Sequence, residues 1–200
     1  MSAPVGPAAP SYPGRMATRA FVAVYPPEDV REELAEFLAA RPGPVWTAPE
    51  QMHLTLAFLG GFPDRALEPL EENLEDAVRA VEAFPCALHG AGAFPHPDRA
   101  AVLWLGVEDG AEELSRLARK ARGAASRAGA VPDGRAFHPH LTLARPRRRN
   151  ATRWIRVLET FGSRLWTVEE VHLVESVLQG RGHRPRHRIV ATARLAPSGP

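Results

Sequence analysis

The same five-residue stretch, HLTLA, occurs twice in this chain, beginning at His53 and again at His140. Two residues after each histidine stands a threonine, Thr55 in the first copy and Thr142 in the second. In an extended strand, side chains two residues apart lie on the same face. Each copy therefore predicts a strand that presents an imidazole, a hydroxyl and then only an alanine methyl group on one face, while its leucines face the core.

Two such pairs of side chains could perform acid–base catalysis at phosphorus. Imidazole has an unperturbed pKa of about 6.5, so it can give or take a proton near neutrality. A threonine hydroxyl can donate a hydrogen bond to a phosphate oxygen where charge grows. We therefore predict that one of His53 and His140 activates water while the other protonates the leaving oxygen, with no metal ion required. Each such proton transfer contributes roughly 10²–10⁴ in rate.

A purely structural interpretation is also available for either copy. Histidine is often partly buried, so a single HLTLA stretch is explained well by a half-buried strand with a hydrogen-bonded histidine. Packing does not require a histidine at both matched places, whereas an acid–base pair does. We therefore interpret His53 and His140 as functional.

Several residues near the second copy are further candidates. His138 lies two residues before His140 and could share its face; because no carboxylate or cysteine is nearby, a substrate contact or a turn-anchoring role is preferred to a metal ligand. Arg145 and the arginines at 147–149 could steer RNA phosphates, or could simply be a solvated entry to a helix. The basic hairpin Arg181–Arg188 could embrace RNA, or could be an ordinary surface turn.

Aromatic and remaining histidine side chains carry weaker signals. Phe21 and Trp46 could stack on a base, but core packing is preferred for both. Cys86 is interpreted as a small buried apolar residue. No motif supports a role for the other histidines considered, which are His89, His96 and His172.

Composition bounds the class of protein. A hydrophobic fraction of 44% and a charged fraction of 24% are ordinary for a globular chain of one medium domain or two small lobes. No apolar run approaches the ~20 residues of a membrane helix. Every cationic side chain except Lys120 is arginine, which suits phosphate, although a GC-rich genome is the preferred explanation. The lone cysteine excludes an internal disulfide and favours a cytoplasmic location; we expect a monomer.

The termini differ from the rest of the chain. Residues 1–17 are mostly Pro, Ala, Gly and Ser and are predicted to be a disordered leader, without the pattern of a secretory signal. Met16 could be the true start. Residues 18–195 are predicted to form one bilobal domain, and residues 196–200 a flexible tail.

Strands and helices alternate through that domain. Besides the HLTLA copies, strands are predicted at Arg19–Tyr25, Cys86–Leu88, Ala101–Val107, Val168–Val177 and Arg188–Leu195. Helices are predicted after Pro27, from Asp64, over Ala111–Ala128 and around Trp154–Phe161. The stretch Gly90–Arg99 is predicted to be turn. The elements before and after about residue 95 are similar in kind. This order predicts an α+β fold in which those two stretches form pseudo-symmetric lobes of antiparallel sheet with flanking helices, each lobe placing one HLTLA strand toward a central cleft.

The chain resembles the 2H phosphoesterase superfamily, which is defined by two His-x-Thr/Ser-x motifs. More closely it is similar to the bacterial and archaeal RNA 2′,3′-cyclic phosphodiesterases, also described as 2′-5′ RNA ligases. The resemblance extends from about Ala20 to Leu195. It is carried by FVAVYPPEDVREELAEFL, PEQMHLTLAFLGGFP, GAGAFPHPDRAAVLWLGV and GRAFHPHLTLAR.

The resemblance implies a two-lobed α+β fold with antiparallel sheets around a water-filled cleft. It implies hydrolysis of 2′,3′-cyclic phosphate ends of RNA, or of cyclic nucleotides, to 2′-phosphates without a cofactor or membrane. In the family roles, His53 donates a proton to the leaving 3′ oxygen, His140 accepts one from water, and Thr55 and Thr142 hold the phosphate. Many relatives carry Lys or Arg where Ala57 stands, so one phosphate contact is expected to be weaker here.

Two alternatives remain at this point. The same residues would serve a 2′-5′ RNA ligase or phosphodiesterase, in which the roles of the two histidines could exchange. A non-catalytic module that binds nucleotides or RNA ends is disfavoured because both threonines accompany both histidines.

Overall fold

A computed structural model of the chain describes residues 18–177 and 185–199. The predicted leader at 1–17, residues 178–180, residues 181–184 of the predicted basic hairpin and residue 200 of the predicted tail lie outside the described residues. Within the described part, no helix is both long enough and apolar enough to cross a bilayer.

Strands and helices alternate as the sequence pattern predicts. The strands are β1 (Thr18–Val24), β2 (Leu54–Phe62), β3 (Phe84–Cys86), β4 (Leu88–Phe94), β5 (Val102–Val107), β6 (His140–Ala144), β7 (Trp166–Val168), β8 (Glu170–Val177) and β9 (Arg186–Arg194). The α-helices are α1 (Glu28–Ala39), α2 (Leu67–Arg79), α3 (Ala111–Arg127) and α4 (Thr152–Leu158).

The described strands form a seven-stranded sheet in the order β4-β5-β6-β2-β1-β8-β9 and a separate β3-β7 pair, with antiparallel pairing throughout. The two HLTLA strands are neighbours at the middle, where β2 pairs with β6 at Leu54 and Leu141. This junction divides the sheet into a short arm, β4-β5-β6, and a long arm, β2-β1-β8-β9. The predicted α+β fold, with two lobes of antiparallel sheet, is thereby confirmed.

The arms are not the two halves of the sequence, however. Strands β8 and β9 come late in the chain but join β1 in the long arm, and helix α3 packs on α2 and β2. The expectation that the elements before and after about residue 95 form separate lobes is therefore wrong. A repeated motif marks equivalent strands, but it does not say which later strands pair with them.

The helices cover the sheet with one apolar face each. Their buried residues recur every three or four positions, which places them on one side of a helix. These residues are Val30, Leu34 and Leu38 in α1, Leu70, Leu74 and Val78 in α2, and Leu114, Leu117 and Ala121 in α3. The leucines of both HLTLA copies join the same core and are at most 1% exposed. Burying one leucine contributes about 1.5–3 kcal/mol, so the core anchors both motif strands firmly.

Several predicted element boundaries are wrong. The strands predicted at Cys86–Leu88 and Val168–Val177 each span a break, between β3 and β4 and between β7 and β8. The stretch predicted as turn, Gly90–Arg99, contains most of strand β4, and its small residues serve packing, since a Cβ on Gly92 would lie 2.2 Å from the ring of Trp104. The helix predicted from Asp64 begins at Leu67, after a short 3₁₀ turn.

The segment expected to be a flexible tail makes hydrogen bonds where it is described. The backbone of Ala196 bonds to Val81 and Ala83, and the Ser198 hydroxyl donates to the Ala83 carbonyl. These bonds tie residues 196–198 to the end of the α2 segment.

Candidate active site

Both HLTLA strands contain a β-bulge immediately after the threonine. Along β1 and β2 the paired residues step from Thr55 to Ala57, so Leu56 is an extra residue. Along β5 and β6 they step from Thr142 to Ala144, so Leu143 is the equivalent extra residue. A bulge of this kind moves the side chains that directly follow it to the other face of the strand.

The bulges correct the predicted alternation of side chains. Ala57 was expected to share a face with His53 and Thr55, but it is buried in the core, and Phe58 lies on the cleft side instead. In the second copy Ala144 is likewise buried, and Arg145 enters the cleft.

The two histidines are oriented by the same backbone device. The Nδ1 atom of His53 lies 2.7 Å from the carbonyl oxygen of Gln51, and the Nδ1 atom of His140 lies 2.7 Å from the carbonyl oxygen of His138. A carbonyl oxygen only accepts, so Nδ1 carries the proton in each neutral ring. In both copies Nε2 is therefore the nitrogen left to exchange a proton with a substrate.

Aromatic rings hold His53 in place. Its ring stacks on Phe21 with centroids 4.7 Å apart and an interplanar angle of 21°. Tyr25 and His187 contact it at 5.5 Å and 5.4 Å. Phe21, for which core packing was preferred, is 4% exposed and forms the seat of this imidazole.

His140 has a comparable seat in the short arm. Phe94 meets its ring edge-on at 5.1 Å, and Trp104 lies 6.2 Å away. The ring of His138 packs against Trp104 at 4.8 Å, while its carbonyl holds His140. The group that holds His140 is a backbone carbonyl, whereas the His138 side chain lines the cleft, where the predicted role of a substrate contact stays a prediction.

The environment disfavours the charged form of both histidines. Burial lowers the pKa of His53 to about 4; the Gln51 carbonyl opposes this shift, and the charges of His187, Arg145 and His140 add to it. Burial also lowers the pKa of His140. The His138 carbonyl raises this pKa, and the charges of His138 and Arg145 lower it further. The charge of Arg145 lowers the pKa of both histidines, and the charge of His140 also lowers that of His53, so these groups lie close enough to interact across the cleft.

A cleft of about 2000 Å³ runs over these residues. It contains all six predicted site residues, which are His53, Thr55, His138, His140, Thr142 and Arg145. Among its described lining residues, Asp133 is the one carboxylate, against arginines at positions 19, 122, 135, 145, 147 and 149. Such an excess of cations suits an anionic ligand with several phosphates.

The basic turn after β6 has an unusual backbone. Arg147 and Arg148 have φ angles of 54° and 61°, a left-handed conformation that costs a non-glycine residue roughly 1–2 kcal/mol. Arg147 and Arg149 line the cleft, whereas Arg148 does not. The turn therefore directs two of its three arginines to the cleft.

Other sequence candidates lie elsewhere. Trp46 packs edge-on against Trp154 at 5.4 Å, in agreement with its expected packing role. Cys86 is a buried free thiol. Arg188, from the predicted basic hairpin, binds the Glu175 carboxylate through Nε and Nη2. The cleft lining does not include the three histidines without motif support, which are His89, His96 and His172.

Among the cleft residues that the sequence reasoning missed, two contact His53 directly. His187 was placed in a surface hairpin, but it lies at the start of β9, next to His53. Gln51 precedes the motif and supplies the carbonyl that orients His53. No pattern in the sequence marks His187, because its position depends on pairing between distant strands. Gln51 orients His53 through a backbone carbonyl, which is independent of residue type. Among the described residues, no group of three or more His, Cys, Asp or Glu side chains is placed to hold a metal ion.

Comparison with known sequences gives a consistent set of relatives. The model of the 2′-5′ RNA ligase superfamily matches residues 26–179. An RNA 2′,3′-cyclic phosphodiesterase of Aeropyrum pernix is 34% identical over 154 residues, covering 75% of this chain and 85% of its own. One of Thermus thermophilus is 36% identical over 173 residues, covering 82% and 84%.

Solved structures agree with the sequence relatives. The apo form of Escherichia coli LigT superposes with a TM-score of 0.73 at 27% identity, covering 91% of this chain and 99% of LigT. The Thermus thermophilus protein TT0787 superposes with a TM-score of 0.72 at 30% identity, covering 90% and 100%. LigT has also been solved in complexes with 3′-AMP and with ATP.

Proposed function

This chain belongs to the 2′-5′ RNA ligase superfamily, and on that premise we propose that it is an RNA 2′,3′-cyclic phosphodiesterase that opens cyclic phosphate ends to 2′-phosphates. One observation carries the proposal. Two histidines of matched sequence context each donate Nδ1–H to the carbonyl two residues earlier, which leaves both Nε2 atoms for one cleft. The names of the relatives support the same reaction.

The reaction is an in-line displacement at phosphorus. His140 Nε2 accepts a proton from water as the water oxygen forms a bond to phosphorus. The bond from phosphorus to the 3′ oxygen breaks, and protonated His53 donates its Nε2 proton to that oxygen. The products are a 2′-phosphate and a 3′-hydroxyl, and solvent exchange returns the two imidazoles to their starting states. No step in this scheme requires a metal ion.

His53 is suited to the acid role. Its pKa of about 4 makes its protonated form a strong acid, able to protonate a leaving alkoxide. A bound phosphodiester carries a negative charge, which favours the imidazolium form before the bond breaks. His140, whose ring is neutral at neutral pH, is the base in this assignment.

Threonines and one arginine would hold the phosphate. Leu54 pairs with Leu141 in antiparallel strands. The residues on either side of this pair therefore lie opposite one another, His53 opposite Thr142 and Thr55 opposite His140. Each histidine is thus matched with a hydroxyl from the opposite arm. Arg145, whose charge acts on both imidazoles, would bind the two non-bridging oxygens bidentately.

The cleft favours RNA ends over small neutral esters, because its arginines extend beyond the central phosphate. We further propose that the enzyme acts as a monomer in the cytoplasm. The buried free thiol of Cys86 is compatible with a reducing compartment.

A trinucleotide ending in a 2′,3′-cyclic phosphate tests the proposal. We expect conversion to the 2′-phosphate in the presence of EDTA, and a loss of at least 10² in kcat/KM in His53→Ala and in His140→Ala. Full activity in both variants would overturn the proposal. Tight binding without product would indicate a binding module, and preference for a 2′-5′-linked dinucleotide would indicate the ligase or phosphodiesterase alternative.

A further inference from the structure

His187 is a third imidazole at the reaction centre that the proposed mechanism does not use. Its ring meets His53 edge-on with centroids 5.4 Å apart and lies 4.9 Å from Phe21. It lines the cleft together with Ser176, the residue with which it pairs across β8 and β9.

His187 and His140 lie on opposite sides of His53 in the sheet. The sheet order places β1, β8 and β9 on one side of β2 and places β6, with His140, on the other. In an in-line displacement, water attacks from the side opposite the leaving oxygen. If His140 holds the water, the ribose and base attached to the leaving oxygen must lie toward the wall that contains His187.

The protonation state of His187 follows from its surroundings. Its Nδ1 atom is buried and has no hydrogen-bond partner among the described residues. An imidazolium would bury an unpaired, charged N–H there, and burial indeed lowers the pKa of His187. In the neutral ring a buried acceptor without a partner is tolerated better than a buried donor, so the proton resides on Nε2. His187 therefore offers a neutral N–H donor.

Gln51 fixes His187 and His53 relative to each other. Its carbonyl oxygen accepts the Nδ1–H of His53, and its side-chain amide donates to the carbonyl of Pro185 at 2.9 Å. Pro185 lies two residues before His187, at the entrance to β9. One residue thus positions both the imidazole proposed as acid and the imidazole beside it.

From these relations we propose that His187 is a substrate-binding residue whose Nε2–H donates a hydrogen bond to the nucleobase next to the cyclic phosphate. The inference rests on the proposed function and names the part of the substrate that this wall of the cleft binds. Every RNA base has an acceptor on its sugar edge, either a carbonyl oxygen or a ring nitrogen, so this donor recognises the presence of a base rather than its identity.

The test compares two substrates and three variants. The substrates are the trinucleotide 2′,3′-cyclic phosphate and methyl riboside 2′,3′-cyclic phosphate, which lacks a base. His187→Phe keeps an aromatic ring against His53 but removes the donor, and His187→Gln restores an N–H near the position of Nε2. His172→Phe is the matched control, because His172 lies in the same sheet, bonds to Thr192 and is absent from the cleft lining.

We expect His187→Phe to reduce kcat/KM by about tenfold on the trinucleotide, as for loss of one neutral hydrogen bond, and by less than about twofold on the methyl riboside. His187→Gln should regain most of the loss, and His172→Phe should match the wild type on both substrates. An equal loss on both substrates, no loss on either, or no recovery in His187→Gln would overturn the inference while leaving the proposed function intact. A wild-type enzyme inert toward both substrates would overturn the proposed function itself, and this inference with it.

Discussion

Phe58 and Arg145 occupy equivalent positions in the two halves of the site, each five residues after its motif histidine and each brought into the cleft by a bulge. The phenyl ring is 47% exposed, unusual for phenylalanine in a protein with an extensive core. The backbone is pseudo-symmetric at these two positions, but the side chains differ: Phe58 offers an apolar surface and Arg145 a cation. An asymmetric ligand, with an anionic phosphate and an aromatic base, suits such a pair.

Removing the guanidinium of Arg145 should weaken transition-state binding of phosphate. We expect Arg145→Ala to lower kcat/KM for the cyclic phosphate trinucleotide by roughly 10–100-fold, the range for a charge-assisted hydrogen bond. Arg145→Lys should recover only part of this loss, because an ammonium group cannot bind two oxygens with a planar fork. Steady-state kinetics at fixed ionic strength measures both effects.

Arg148 is the matched control for this experiment. It belongs to the same basic turn and is exposed, but it does not line the cleft. Arg148→Ala should retain wild-type kcat/KM within about twofold. Equal losses in Arg148→Ala and Arg145→Ala would mean that general attraction of the basic turn, rather than a specific contact, holds the phosphate.

The proposed catalytic pair could be identified from sequence because its signal is local. Alternation along a strand places His53 with Thr55 and His140 with Thr142, and the α+β class follows from the order of elements. The bulges that turn Phe58 and Arg145 into the cleft could not be predicted, since a bulge is a property of pairing between strands.

Dependence on contacts between distant strands also explains the other differences between the predicted and the observed structure. His187 reaches His53 because β9 lies beside β8 and β8 beside β1, an arrangement that no short stretch encodes. Gly90–Arg99 has the composition of a turn, yet Gly92 is small because Trp104 packs over it. In each case a long-range contact decided the role of a residue whose type was locally ambiguous.

The pair of leucines at the junction of the two arms should be critical for stability. Leu54 and Leu141 are 1% and 0% exposed, and they pair where β2 meets β6. We expect Leu54→Ala to lower the free energy of unfolding by about 2–5 kcal/mol, through lost burial and a residual cavity. Urea titration measures the change, and Leu165→Ala, at a leucine that is 56% exposed, should change it by less than about 0.5 kcal/mol.

Packing of Trp104 on Gly92 should also affect catalysis, because Trp104 helps to seat His140. The Cβ of Gly92→Ala would lie 2.2 Å from the indole ring, so the ring must move. We expect a loss of about 1–3 kcal/mol in unfolding free energy, from overpacking, together with a lower kcat. Gly134→Ala, with no atom within 4 Å of the added methyl group, is the control and should leave kcat unchanged. Wild-type kcat in Gly92→Ala would show that the seat of His140 does not depend on this packing.

The pH dependence of the reaction should be shifted toward acid. The base must be neutral, so activity rises as pH increases through the pKa of His140, which burial places below 6.5. The acid must be protonated, so activity falls as pH increases through the pKa of His53, about 4 in the free protein. Because both values lie below 6.5, the bell-shaped profile of kcat/KM should peak on the acid side of pH 6.5, whichever histidine has which role.

Arg145 provides the internal check on that profile. Its charge lowers the pKa of both histidines, so Arg145→Ala should move the peak of kcat/KM to higher pH while lowering its height. The measurement is a series of kcat/KM values from pH 4 to 9 in buffers of constant ionic strength. A wild-type peak above pH 7, or a peak that stays in place in Arg145→Ala, would contradict the electrostatic description of the site. Agreement in both would identify His53 and His140 as the groups that titrate, since the Arg145 guanidinium lowers the pKa of both imidazoles.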